Sequence, residues 1–305
     1  MTSEDTQQAN SIVAKHVSRM ANGRMLLKDI SLRVFQGEIF GILGRSGGGK
    51  TTLLRILAGL DKPNSGSVVI QAFEDDNSDW VDTIPAVALQ SPGVAPELTV
   101  NENMRLFARL WGLPRRGRSA KIAKYLEMLE LSDLRMRRVR DLPHSAKIRL
   151  ELARTLVSES NIVMIDCLLE TLPQHIHINV WRHLQSRAKN GAAIIIATVS
   201  SQEAELCERI SLIKNGRIEF IGAPEELIRS VGPNTIVVKA VRPPLVMEKI
   251  KEKLCVAVEQ RDGALVFTTS NGCAAVSEII SELGSDISAV YLQQPNLADA
   301  LEKLQ

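Results

Sequence analysis

Gly44-Arg45-Ser46-Gly47-Gly48-Gly49-Lys50-Thr51 decides the reading of this chain, because the run satisfies the phosphate-loop pattern G-x-x-x-x-G-K-[ST]. The apolar run Ile39-Phe40-Gly41-Ile42-Leu43 leads in as a buried strand, and Thr52-Leu53-Leu54-Arg55-Ile56-Leu57-Ala58 leaves with helical periodicity. Glycines let backbone N–H groups close around phosphates at the positive end of a helix. Lys50 is then expected to reach the β- and γ-phosphates and the Thr51 hydroxyl to ligate Mg²⁺. The bland alternative is a tight strand-to-helix turn with no ligand.

Outward from this loop, 305 residues at 45% hydrophobic and 24% charged can bury one large core or two unequal ones, and two domains are expected. A formal net charge of +2 gives no general drive toward polyanions. The polar, acidic start M-T-S-E-D-T-Q-Q-A-N lacks the pattern of a targeting peptide, and no apolar run approaches a membrane span, so a cytoplasmic chain is expected. Cys167, Cys207, Cys255 and Cys273 form no C-x-x-C pair and read as buried free thiols.

Runs at 12–15, 29–34, 38–43 and 67–71 read as the strands of a mixed first sheet. Residues 98–156 turn helical, with apolar residues three and four apart over 100–110 and 122–131. Strands return at 162–165 and 193–198 around a helix at 178–188, the alternation of a parallel sheet. The segment 211–221 reads as a hairpin turning at Asn215-Gly216. A break at Ser230-Val231-Gly232-Pro233 precedes strand 235–240, helix 244–254, a hairpin through Arg261-Asp262-Gly263, helix 273–283, strand 287–293 and helix 296–304, a small α+β unit of βαββαβα order.

With these residues in view, positions 11–230 resemble the nucleotide-binding subunit of an ATP-binding cassette (ABC) transporter. Gln90 stands where the family has its Q-loop glutamine, and Leu98-Thr99-Val100-Asn101-Glu102-Asn103 follows as the family's L-T-V-x-E-N. Met164-Ile165-Asp166 closes an apolar strand as the Walker B does, with Asp166 implied to hold Mg²⁺ through water. Gln202-Glu203-Ala204-Glu205, Lys214-Asn215-Gly216-Arg217-Ile218 and Gly222-Ala223-Pro224-Glu225-Glu226-Leu227 are similar to the close of such domains. Phe107-Ala108-Arg109-Leu110-Trp111-Gly112-Leu113-Pro114 and the ending Gln294-Pro295-Asn296-Leu297-Ala298-Asp299-Ala300-Leu301 look like the branch serving drug and polysaccharide exporters. A generic small-ligand or dimerisation domain is the other reading of the C-terminal unit.

The resemblance also has gaps. Where the family has L-S-G-G-Q, this chain has Leu142-Pro143-His144-Ser145-Ala146, whose Pro143 lacks hydroxyl and N–H alike. The catalytic glutamate position is Cys167 and the switch histidine position is Val199. The D-loop aspartate position is Pro173 within Glu170-Thr171-Leu172-Pro173, and the adenine-stacking aromatic falls near Met20-Ala21, where no ring exists. The register rests on Arg154, Asp166 and the pair Trp181 and Gly191. The groups that hold phosphate and metal are kept, and those that activate water are not.

The resemblance therefore implies an α/β, P-loop (RecA-like) nucleotide-binding domain over 11–230 with an antiparallel β subdomain and a helical subdomain at about 91–157, after a flexible tail at 1–10 and before an α+β domain at 234–305. Its expected nucleotide-binding residues are Gly44, Arg45, Ser46, Gly47, Gly48, Gly49, Lys50, Thr51, Thr52, Gln90 and Asp166, with Thr51, Gln90 and Asp166 facing Mg²⁺ and ATP as the ligand. No intact catalytic residue is expected, so hydrolysis should be weak or absent. A membrane permease as partner, a second ATP-binding subunit in a homodimer or preferably a heterodimer, and a peripheral place on the inner face of the cell membrane follow from the same likeness. A slow but genuine ATPase and a nucleotide-gated adaptor without a transport role are the alternatives.

Two further clusters have bland readings beside the functional ones. His175, His177 and His183 do not share a helical face and read as solvated or structural rather than metal-ligating. Arg115, Arg116, Arg118, Arg135, Arg137, Arg138 and Arg140 make the helical region basic, either toward an anionic leaflet or as a solvated face. Nucleic acid is not expected as a partner, since aromatic residues make up only 4% and do not interleave with the arginines.

Overall fold

The protein is described from a computed structural model that covers residues 10–21, 23–70, 84–91, 93–231, 234–254, 256–261, 263–269, 271–284, 286–293 and 295–303. Most of the expected N-terminal tail, residues 71–83, Gly232-Pro233, Cys255, Asp262 and Gln294 lie outside the described residues. The chain divides into two compact units between Ala223 and Pro224.

In the first unit, β1 (Asn10–Ala21) pairs antiparallel with β2 (Arg24–Phe35) on one side and with β4 (Ser65–Ile70) on the other. Between them in sequence, β3 (Ile39–Leu43) goes elsewhere, which corrects the expectation of one mixed sheet. The reason is burial. Every residue of β3 is buried on both faces, as a central parallel strand requires, whereas β2 alternates and faces water on one side.

β3 runs into α1 (Lys50–Leu57). It occupies a sheet with β5 (Ala86–Ala88), β6 (Ile162–Asp166), β7 (Ala193–Thr198), β8 (Arg209–Lys214) and β9 (Arg217–Gly222), in the order β5-β6-β7-β3-β8-β9. All neighbours are parallel except the β8–β9 hairpin. Leu43 aligns with Thr198, and Asp166 with Ala197, so β3, β6 and β7 end level with one another. Phe40, Ile42, Leu53, Leu54, Leu57, Met164 and Ile195 fill the core beneath that edge. Ligands of open α/β sheets bind at such carboxyl ends.

The helical insertion comprises α2 (Val100–Leu110), α3 (Arg115–Met128) and α4 (His144–Leu156). α2 starts where Thr99 and Glu102 form a reciprocal capping box. α3 is broken near its start, where Gly117 takes a left-handed φ of 81°. It ends at Met128, short of the expected 131. α5 (Gln174–Lys189) begins earlier than expected because Pro173 caps it, and α6 (Ser201–Glu205) is capped by the Ser200 hydroxyl.

The second unit contains α7 (Pro224–Val231), β10 (Asn234–Ala240), α8 (Pro243–Leu254), β11 (Val258–Arg261), β12 (Ala264–Thr269), α9 (Gly272–Leu283), β13 (Ile287–Gln293) and α10 (Leu297–Lys303). Its antiparallel sheet has the order β11-β12-β10-β13 over a core of Ile236, Val238, Ile250, Leu265, Phe267 and Ile279. α7 packs against α10, so residues 224–231 group with this unit and not with the first, where sequence placed them. Of the cysteines, Cys167 and Cys207 are buried free thiols as expected, but Cys273 is exposed.

Candidate nucleotide-binding site

The loop between β3 and α1 is shaped by close backbone approach. A Cβ at Gly44 would stand 2.4 Å from the Ile213 carbonyl oxygen, and Gly49 holds a φ of 105° that side chains rarely adopt. Gly49 caps α1 without any side-chain hydrogen bond, which leaves first-turn N–H groups directed into the loop. Lys50 is 5% exposed, and its ammonium lies inside the curve, donating to the Gly44 carbonyl at 2.7 Å and the Arg45 carbonyl at 3.0 Å. Together these groups make a cationic cradle at the start of α1.

Asp166 ends β6 directly beside this cradle and is fully buried. Its Oδ1 accepts a hydrogen bond of 3.0 Å from the Thr51 hydroxyl, while Oδ2 is buried with no partner. Burial raises the Asp166 pKa, opposed by the Thr51 hydrogen bond and by the charge of Lys50. A buried carboxylate oxygen without a donor is costly, and a hydrated divalent cation would satisfy it. The residues present thus fit a metal–phosphate pair.

Cys167 follows Asp166 at the end of β6, and the Gln90 side chain is among the groups that act on its thiol. Cys167 holds a left-handed φ of 50°, and its N–H bonds the Ala197 carbonyl at 2.8 Å. Burial pushes its thiol up to about 12, which keeps it neutral near pH 7. A neutral thiol neither takes a proton from water nor orients one as a carboxylate does.

Val199, at the end of β7, is 45% exposed, and its side chain offers no hydrogen bond. The Glu170 carboxylate, which sequence reasoning passed over, faces the Val199 backbone N–H and lies within the fields of Glu203 and Lys50. Burial, then the Glu203 charge, raises its pKa. Its signal in the sequence was only that of a carboxylate three residues beyond Cys167.

The stretch from Leu142 to Ala146 opens α4, with Pro143 as a cap that makes no side-chain bond and with His144 and Ser145 exposed. Its backbone bonds stay local, from Leu142 N–H to the Val139 carbonyl and from Ala146 N–H to the Pro143 carbonyl. The histidines disperse. His175 pairs with Glu130 at 2.7 Å, His177 with Glu203 at 3.3 Å, and His183 with the Tyr125 hydroxyl at 3.2 Å. Among the described residues no group of metal-binding side chains stands apart from the loop, and no helix is long and apolar enough to cross a membrane. Of the seven clustered arginines, Arg140 pairs with Glu97 at 2.8 Å and Arg118 binds the Leu113 carbonyl.

Residues 27–167 match the family model described as ABC transporter. The Nod factor export ATP-binding protein I of Rhizobium etli is 30% identical over 237 residues, covering 74% of this chain and 72% of that protein. The probable multidrug ABC transporter ATP-binding protein YbhF of Escherichia coli is 29% identical over 227 residues, covering 74% of this chain and 39% of that protein. Among solved structures, the ATP-binding subunit of an ABC transporter superposes with a TM-score of 0.65 at 22% identity, covering 72% of this chain and 92% of the other. A dimeric post-hydrolysis state of the ATP-binding cassette MJ0796, bound to ADP and Pi, superposes with a TM-score of 0.61 at 24% identity, covering 70% and 98%. The likeness to these structures lies in the fold, and with the sequence relationship it makes the chain an ATP-binding subunit of the ABC transporter family.

Proposed function

We propose that this chain binds Mg-ATP through Gly44 to Thr52, Gln90 and Asp166, couples it to a membrane permease of an exporter, and hydrolyses it weakly or not at all. The observation that carries the reading is the Lys50–Thr51–Asp166 arrangement, with a caged ammonium on one side and an unpartnered buried carboxylate oxygen on the other. Lys50 and the α1 N–H groups hold the β- and γ-phosphates, while Thr51, Gln90 and Asp166 face the cation. The bound Mg²⁺ neutralises phosphate charge. Cys167 and Val199 stand where a base and a hydrogen-bonding side chain would act, and neither can do so.

The name of the Rhizobium etli relative, which speaks of export, supports an exporter. An ABC sandwich places each nucleotide between the phosphate loop of one subunit and the signature stretch of the other, so two copies of this chain would meet with Pro143 and His144 on both sides. Pairing with a more complete ATP-binding subunit at the inner membrane face is the arrangement that retains turnover.

The test is thermal stabilisation by Mg-ATP together with steady-state phosphate release from the purified chain. Wild type should be stabilised by mass action, Lys50→Ala should lose that shift, and turnover should stay at background. An equal shift in wild type and Lys50→Ala would remove the binding reading. Glu170 beside Val199 favours a second reading, a slow but genuine ATPase. Turnover that disappears in both Lys50→Ala and Glu170→Gln would establish it in place of the first.

A further inference from the structure

Glu151 lies in the third turn of α4 with its side chain fully buried, and it does something the nucleotide cradle does not account for. Its Oε1 accepts the Leu89 N–H at 3.2 Å and its Oε2 accepts the Gly93 N–H at 2.8 Å. These two amides bracket Gln90. Arg154, one turn on, bonds both carboxylate oxygens, with its Nε 2.6 Å from Oε2 and its Nη2 against Oε1. The same guanidinium lies over the Phe107 ring of α2 at 4.7 Å, and the Thr155 hydroxyl donates to the Val87 carbonyl of β5 at 3.2 Å.

A buried carboxylate needs compensation, and an ion pair with Arg154 alone would supply it. Here the carboxylate spends acceptor capacity on both ends of one exposed loop instead. That loop carries Gln90, a group that acts on the Cys167 thiol next to Asp166. Gly93 permits the arrangement, since a Cβ there would stand 3.0 Å from Arg154 Nη2.

We propose that Glu151, locked by Arg154, is the positioning residue for Gln90, fixing where its amide stands relative to the cation face of Asp166. The inference rests on the reading of Gln90 as a Mg²⁺-facing residue. It also ties that position to α4, which opens within the stretch Leu142 to Ala146.

The probe is a non-hydrolysable ATP analogue titrated into the full-length chain with Mg²⁺ and with EDTA, reported as the ratio of the two affinities. Glu151→Gln keeps the shape but opposes an N–H₂ to backbone or guanidinium donors. It should lower the Mg²⁺-dependent gain about tenfold, the effect of one charge-assisted hydrogen bond, and leave affinity in EDTA unchanged. Gln90→Ala should lower it as much. Gly93→Ala, which displaces the guanidinium without touching the carboxylate, should lower it in the same direction and carries the test should Glu151→Gln not fold. Amide exchange at Leu89 and Gly93 should quicken in Glu151→Gln while Ile39 to Leu43 stays protected.

A folded Glu151→Gln with the wild-type ratio, beside a Gln90→Ala that loses it, would overturn the positioning role and leave the Gln90 reading intact. A Gln90→Ala with the wild-type ratio would overturn the Gln90 reading and this inference with it. Faster exchange with no change in ratio would mark Glu151 as a structural staple only.

Discussion

The two halves of the nucleotide edge are built to different tolerances. Around Gly44, Lys50 and Asp166 the backbone approaches within contact distance, the ammonium is tied to its own loop's carbonyls, and Gly44 and Asp166 meet partners from another strand or helix. At Pro143, His144, Ser145 and Val199 the side chains are exposed, and the bonds of the signature stretch are local. Holding a phosphate requires the first kind of construction. Under the proposed function, completing a second subunit's site and activating water would fall to the second kind, and the two tasks would be physically separable.

The comparison breaks first at Gly44. Gly44→Ala should cost about 3 kcal/mol of unfolding free energy, because the new Cβ meets a backbone carbonyl that cannot swing aside. It should also remove the nucleotide-dependent thermal shift. A variant as stable as wild type in urea would mean that the cradle is looser than its distances imply.

A smaller effect belongs to the helical side. Burial, then the charges of Arg187, Lys124 and Lys121, lower the His183 pKa from 6.5 to about 4. Between those values the unfolded chain takes up a proton that the folded chain refuses. Stability is therefore complete above about pH 6.5 and declines as the pH falls toward 4, by about 2 kcal/mol after discounting the ring's partial exposure. Urea midpoints at pH 7 and pH 4.5 should converge in His183→Asn, and an unchanged pH dependence would show that the Tyr125–His183 contact opens readily.

The third test joins the halves in a mixed complex with a more complete ATP-binding subunit. Changing Pro143→Ser, His144→Gly and Ser145→Gly together should raise turnover about tenfold, or about 1.4 kcal/mol of barrier. A native complex with two copies of this chain and no other ATP-binding subunit would refute that arrangement. Least of all, Cys167→Glu alone should change turnover of the isolated chain by less than about twofold, because one carboxylate cannot act without the other groups of the edge.

Much of this architecture could be read locally. The three-and-four spacing over 100–110 marks α2 to the residue, and Asn215-Gly216, at φ 51° and 76°, marks the β8–β9 turn. The strand-to-helix turn at Gly44 to Thr51 and the strand that Asp166 closes were legible because each lies on a contiguous stretch. Burial context was not, so β3 was grouped with the wrong strands. Nor were partners that meet through space. Glu151 reaches amides 62 and 58 positions away, and Glu170 matters only because β7 ends beside it. A single sequence shows the carboxylates but not what stands opposite them.

The caged ammonium of Lys50 has a consequence in time as well as in affinity. Because Nζ ties the Gly44 and Arg45 carbonyls, the curve of the loop is held by the chain's own atoms, and capture of a nucleotide should require little ordering of the backbone. Association should therefore proceed at the rate of encounter, with the observed rate rising linearly with nucleotide concentration and showing no plateau in stopped-flow mixing. Differences among nucleotides, and among variants that spare the loop, then reside in how long the bound state lasts.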